Sequence, residues 1–117
     1  MATEQEKLVQ QLYVLKNKVQ HSADRNEIIS IIEQAIEIAT PVAPLFVIND
    51  LTTDERKESR VALLKREIFC IKTGKYIDIE TVKIQVSASL IMFMLVFVSG
   101  INSVDAIVGK NLTAQDL

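Results

Sequence analysis

The chain holds 117 residues, 49% apolar and 24% charged, with a formal net charge of -2. That is enough for one domain with a core and too little for two, and so apolar a chain is not wholly disordered. A weakly acidic balance, with no basic face and no aromatic stripe, gives nothing to hold phosphate or stack bases, so nucleic acid is not an expected partner.

Cys70 is the only cysteine. No intramolecular disulfide can form, and an inert thiol in the apolar run Ile68-Phe69-Cys70-Ile71 suits a reducing compartment such as the cytoplasm. The N-terminal MATEQEKL has neither the basic nor the apolar region of a secretory signal. Without one, the glycosylation pattern at Asn111-Leu112-Thr113 reads as a chance match.

In chain order, Leu8, Leu12, Leu15 and Val19 fall on one stripe of an amphipathic helix over Thr3 to Gln20. Ser22 is the expected cap of a second helix over about Ala23 to Ala39, with Asp24 and Glu27 at its positive end. Its wide apolar face (Ile28, Ile31, Ile32, Ala35, Ile36, Ile38, Ala39) needs cover on more than one side. Pro41 and Pro44 end it, since neither donates a backbone hydrogen bond, and Leu45-Phe46-Val47-Ile48 forms a short apolar plug. A third helix starts at Thr52 or Thr53, presents Val61, Leu64, Ile68 and Ile71 inward, and stops at Gly74. The sign-alternating run Asp54 to Arg60 suits its solvated face.

The segment from Ile84 to Val104 carries no charge between Lys83 and Asp105. One reading makes it the core of a helix over about 78–99, buried all round, with Ser87, Ala88 and Ser89 admitting a close neighbour and Gly100 as its cap. A last short helix then runs through Val108 from a cap at Asn102 or Ser103, and the chain frays beyond it. The rival reading is a membrane segment at 84–104. Cations before it and only Lys110 after it would keep the N-terminal module cytoplasmic, in a tail-anchored topology. Polar residues at both ends leave only Leu90 to Val98 strongly apolar, well short of the ~20 residues that a span usually needs. A strand alternative also exists, because residues 68–79 resemble a hairpin with a turn at Thr73-Gly74.

Chemistry-bearing residues are sparse. His21 is the only histidine, and a nucleophilic Cys70 would need a pKa-lowering environment that an apolar run does not supply. Glu33 and Glu37 lie one turn apart, but without a Glu-x-x-His partner they suit a solvated helix face better than a metal pair. Lys72-Thr73-Gly74 and Gly74-Lys75 lack the companions of a penicillin-recognition or phosphate-loop motif.

The sequence thus predicts a single all-α domain over 1–117, a bundle of four to five helices around a central hydrophobic helix at about 78–99, with a frayed tail at 110–117; the alternative is an α+β fold with a hairpin near 68–79. The expected role is a non-enzymatic protein-interaction module (an adaptor, inhibitor or assembly subunit) that binds a protein partner or itself as a homo-oligomer, without cofactor, metal or small-molecule substrate. Leu45, Phe46, Met92, Phe93, Met94 and Phe97 are the candidate interaction or core residues, because methionine and phenylalanine side chains build both adaptable grooves and cores.

Overall fold

A computed structural model of the chain describes residues 2–45 and 53–116, with side chains over 2–45 and 60–109. Five helices are present among the described residues, and no strand: α1 (Glu4–Gln20), α2 (Arg25–Ala39), α3 (Thr53–Lys72), α4 (Ile79–Met94) and α5 (Ile101–Asp116). The domain is a small helical bundle, as the apolar periodicities predict. α1, α2, α3 and α4 pack in a closed ring, each against the next and α4 back onto α1, while α5 lies against α1.

Local chemistry sets the helix limits. Thr3 caps α1 by accepting the Glu6 N–H at 3.1 Å, and Leu8, Val9, Leu12, Leu15 and Val19 are buried along it. α2 is capped by Asp24, whose carboxylate accepts the Asn26 N–H at 3.0 Å, rather than by Ser22. Ser22 is buried in the preceding turn, where its hydroxyl donates to the Asp24 carbonyl at 3.3 Å. At the far end of α2 the Thr40 hydroxyl closes on the Ile36 carbonyl, and the chain leaves through Pro41 and Pro44. Phe46, Val47 and Ile48 of the predicted apolar plug lie outside the described residues.

The residues 68–79 do not form a hairpin. α3 continues helically through Lys72, and Gly74 (φ 73°) closes it with a Schellman motif, the Gly74 N–H donating to the Ile71 carbonyl and the Lys75 N–H to the Cys70 carbonyl. Only a residue at ease with positive φ fits that turn. Asp78 then caps α4, accepting the Thr81 N–H at 2.7 Å.

The apolar run from Ile84 to Val104 is not one helix. α4 ends at Met94, five residues before the predicted end at Ser99. The N–H groups of Leu95, Val96 and Phe97 each donate to a carbonyl three residues back, tightening the chain into turns that lead to Gly100. The Gly100 carbonyl accepts from Ser103 and Val104 and so opens α5, a role predicted for Asn102 or Ser103. α5 continues past the expected end at Val108 as far as Asp116. Among the described residues no helix is long and apolar enough to cross a membrane.

Candidate interaction surface

Two helices and the loop that joins them meet around one buried carboxylate. Glu67, only 6% exposed, occupies the inward stripe of α3 where periodicity places Ile68, which instead packs at the edge of the core. Its Oε2 accepts the Tyr76 hydroxyl at 2.6 Å and its Oε1 accepts the Ser89 hydroxyl at 2.8 Å. The α3–α4 loop and the middle of α4 are thereby tied to the same side chain. Each bond goes to an ionisable acceptor, the stronger class of protein hydrogen bond. Burial holds the Tyr76 phenol proton more tightly than in an ordinary tyrosine, and the neighbouring Glu67 carboxylate and Cys70 thiol add to the effect.

This arrangement holds parts together; it does not present reactive groups. Both carboxylate oxygens are engaged, and the thiol beside them is buried. His21 lies apart from it, exposed at the end of α1, with its Nδ1–H donated to the Asn17 carbonyl at 2.8 Å. Glu33 and Glu37 are exposed on α2, and among the described residues no group of three or more His, Cys, Asp or Glu side chains could hold a metal ion.

The clasp also fixes which side of α4 faces out. With Ser89 turned onto Glu67, and Val82, Val86, Leu90, Phe93 and Met94 buried, the outer face carries Ile84, Ala88 and Met92 at successive turns, beside the uncharged Gln85. Ile84 is 66% and Met92 62% exposed. Ile91 and Leu95 form its half-buried edge. The Leu45 N–H donates to the Val96 carbonyl at 2.8 Å, which brings the exposed Leu45 beside the chain just past the C-terminal end of the helix. The Glu80–Lys83 pair, at 3.4 Å, marks the other end.

The six candidate residues therefore divide. Phe93 and Phe97 are core, edge to face with ring centroids 5.3 Å apart, and Met94 is buried with them. Met92 and Leu45 are at the surface, and Phe46 lies outside the described residues. Ile84 was not among the candidates, although its spacing of two turns from Met92 is the signal that links them. Ser87 and Ser89 are buried while the Ala88 between them is exposed, so the small residues do not act as one close-approach stripe.

Three other apolar features differ in kind. Phe69 is exposed on α3, with the exposed Lys65, Arg66 and Lys72 one turn away. Ile77, in the α3–α4 loop, has its carbonyl bound by Arg25 at 2.9 Å. Between α1 and α2 an open groove of about 300 Å³ is lined by Gln11, Val14, Leu15, Gln34 and Ile38. Comparison of the chain with protein-family models, with curated proteins and with solved structures gives no match.

Proposed function

We propose that this chain is a non-enzymatic protein-interaction module, an adaptor, inhibitor or assembly subunit, that docks through the outer face of α4. The observation that carries this reading is the Ile84–Ala88–Met92 stripe. Two large apolar side chains, each more than half exposed, stand two turns apart on a helix whose outer face has no charge between them. Scattered exposed apolar residues are ordinary on any protein, whereas an aligned, uncharged stripe costs hydration free energy that a bound partner recovers. The lone, buried Cys70 suits a reducing compartment, and we place the protein in the cytoplasm.

The test is a photoreactive amino acid placed in living cells at Ala88, on the stripe, and at Glu33, on the polar face of α2. Discrete adducts are expected from position 88 and not from position 33, and Met92→Asp should abolish them while leaving the helical circular dichroism unchanged. Equal labelling from the two positions, or none from position 88, would refute the reading.

A further inference from the structure

We infer that the occupant of the α4 face is a second copy of this chain, its α4 packed antiparallel across a two-fold axis at Ala88. The inference rests on the docking reading above and names its partner. The first argument is charge. Between Lys83 and Asp105 the sequence has no ionisable side chain, so the face from Ile84 to Val96 can be buried without desolvating a charge, provided that its partner is equally uncharged. The face of α4 itself meets that condition. Phe69 does not, because covering it would also strip water from the exposed Arg66 and Lys72 one turn away.

The second argument is symmetry. Ile84 and Met92 lie four positions to either side of Ala88. An antiparallel two-fold arrangement places each Ile84 against Met92 of the other copy, a contact that is self-complementary, as an isologous interface requires. At the crossing point two alanine side chains face each other. Their small size lets the helix axes approach to the ~8 Å lower end of helix packing, with the larger pairs closing over both sides. The Glu80–Lys83 pairs fall at the rim, where they stay hydrated.

The third argument is area, and it sets the strength. From Ile84 to Val96 the stripe is about 18 Å long, and Leu45 lies beside one end. A contact of that length falls below the roughly 800 Å² per partner of a standard interface. So short a contact joins protomers that are each folded by themselves, and the association is a reversible one.

The experiment uses the full chain in sedimentation velocity from about 5 to 500 μM, with oxidative cross-linking of Ile84→Cys and Met92→Cys chains. A monomer–dimer equilibrium is expected, with at least a tenfold weakening in Met92→Asp. Mixed Ile84→Cys and Met92→Cys chains should give the heterodisulfide, identified by mass, far more readily than either chain gives its own homodisulfide. A monomer up to 500 μM, a dimer unaffected by Met92→Asp, or preferential homodisulfides of Ile84→Cys would overturn the inference. If cellular adducts from position 88 form with a different protein while the purified chain stays monomeric, self-docking fails and the docking reading survives. Absence of both adducts and dimer removes the two together.

Discussion

Ser87 and Ser89 stand two positions apart on α4, both buried, with opposite energetic parts. Ser89 donates to the Glu67 carboxylate at 2.8 Å, and a hydrogen bond to a charged group contributes about 1.5–3 kcal/mol. The Ser87 Oγ has no partner among the described residues, and a stranded buried hydroxyl costs about 1–3 kcal/mol. Alanine also improves intrinsic helix propensity over serine by about 0.5 kcal/mol at either position. Ser89→Ala should then lose about 1–2.5 kcal/mol, while Ser87→Ala should gain about 1 kcal/mol once some lost packing is allowed for. For a domain of this size each kcal/mol moves the melting temperature by about 3–6 °C, so the two variants should straddle the parent. Urea denaturation followed by circular dichroism reads both. Shifts of the same sign, or both within about 0.5 kcal/mol of the parent, would refute the hydrogen bonding assigned to the Glu67 cluster. A cycle of Tyr76→Phe with Ser89→Ala sharpens the test, because two donors to one carboxylate should be coupled by at least about 0.5 kcal/mol.

Met92→Asp should change stability by no more than about 0.5 kcal/mol, whereas Met94→Asp, which puts an unpaired carboxylate into the core, should cost more than about 4 kcal/mol; chemical denaturation of each separates them. Gly74→Ala meets no atom within 4 Å but must hold φ at +73°, so backbone strain alone should cost about 1–2 kcal/mol, read from the urea midpoint. The pH dependence has two limbs. Tyr76 is raised above its ordinary 10.0 when folded, so its contribution is intact below pH 10.0 and is lost as pH rises further, a limb that Tyr76→Phe should erase from the urea midpoint profile. Asp78 is lowered below its ordinary 3.8, first by the Thr81 backbone N–H and then by the Thr81 side chain and Arg25. Its contribution is present above that value and lost as pH falls below it, so Asp78→Ala should flatten the acid limb of the same profile. In the triple variant Glu67→Leu/Tyr76→Phe/Ser89→Ala, stability should match or exceed that of the parent, because burying the carboxylate is costly. Peroxide, which should oxidise Met92 well before Met94 in the parent, should discriminate less between them in the variant.

Helix number and class were legible because the governing signals are local. The Leu8–Leu12–Leu15–Val19 stripe, Pro41 and Pro44 after α2, and Gly74 after α3 each act within a turn or two of chain, and the helices follow them. The end of α4 was not legible in the same way. Nothing polar or helix-breaking interrupts Leu90 to Val98, and the chain departs from the helix at Leu95 through a switch to hydrogen bonds three residues back, with Leu45 docking on the Val96 carbonyl. A contact between positions so far apart in sequence leaves no periodic trace. Glu67 was hidden for a related reason. A glutamate within an apolar stripe reads as the solvated edge of the helix unless Tyr76 and Ser89, one in a loop and one on another helix, are known to reach it.

Those same two hydrogen bonds bear on why a helix as apolar as α4 has one defined outer face. Its side chains are apolar almost all round, so burial alone discriminates weakly between rotations of the helix about its axis. A rotation that brought Ile84 or Met92 inward would gain apolar burial. It would also carry Ser89 away and leave the Glu67 carboxylate buried with one donor in place of two, a loss of about 1.5–3 kcal/mol. That is comparable to the roughly 1.5–3 kcal/mol gained by burying one large aliphatic side chain. The displaced residues of the inner face, Val86, Leu90 and Phe93 among them, would be exposed in turn, so the balance favours the rotation observed. The polar clasp and the packed inner face together keep Ile84, Ala88 and Met92 on the surface, where a partner can reach them.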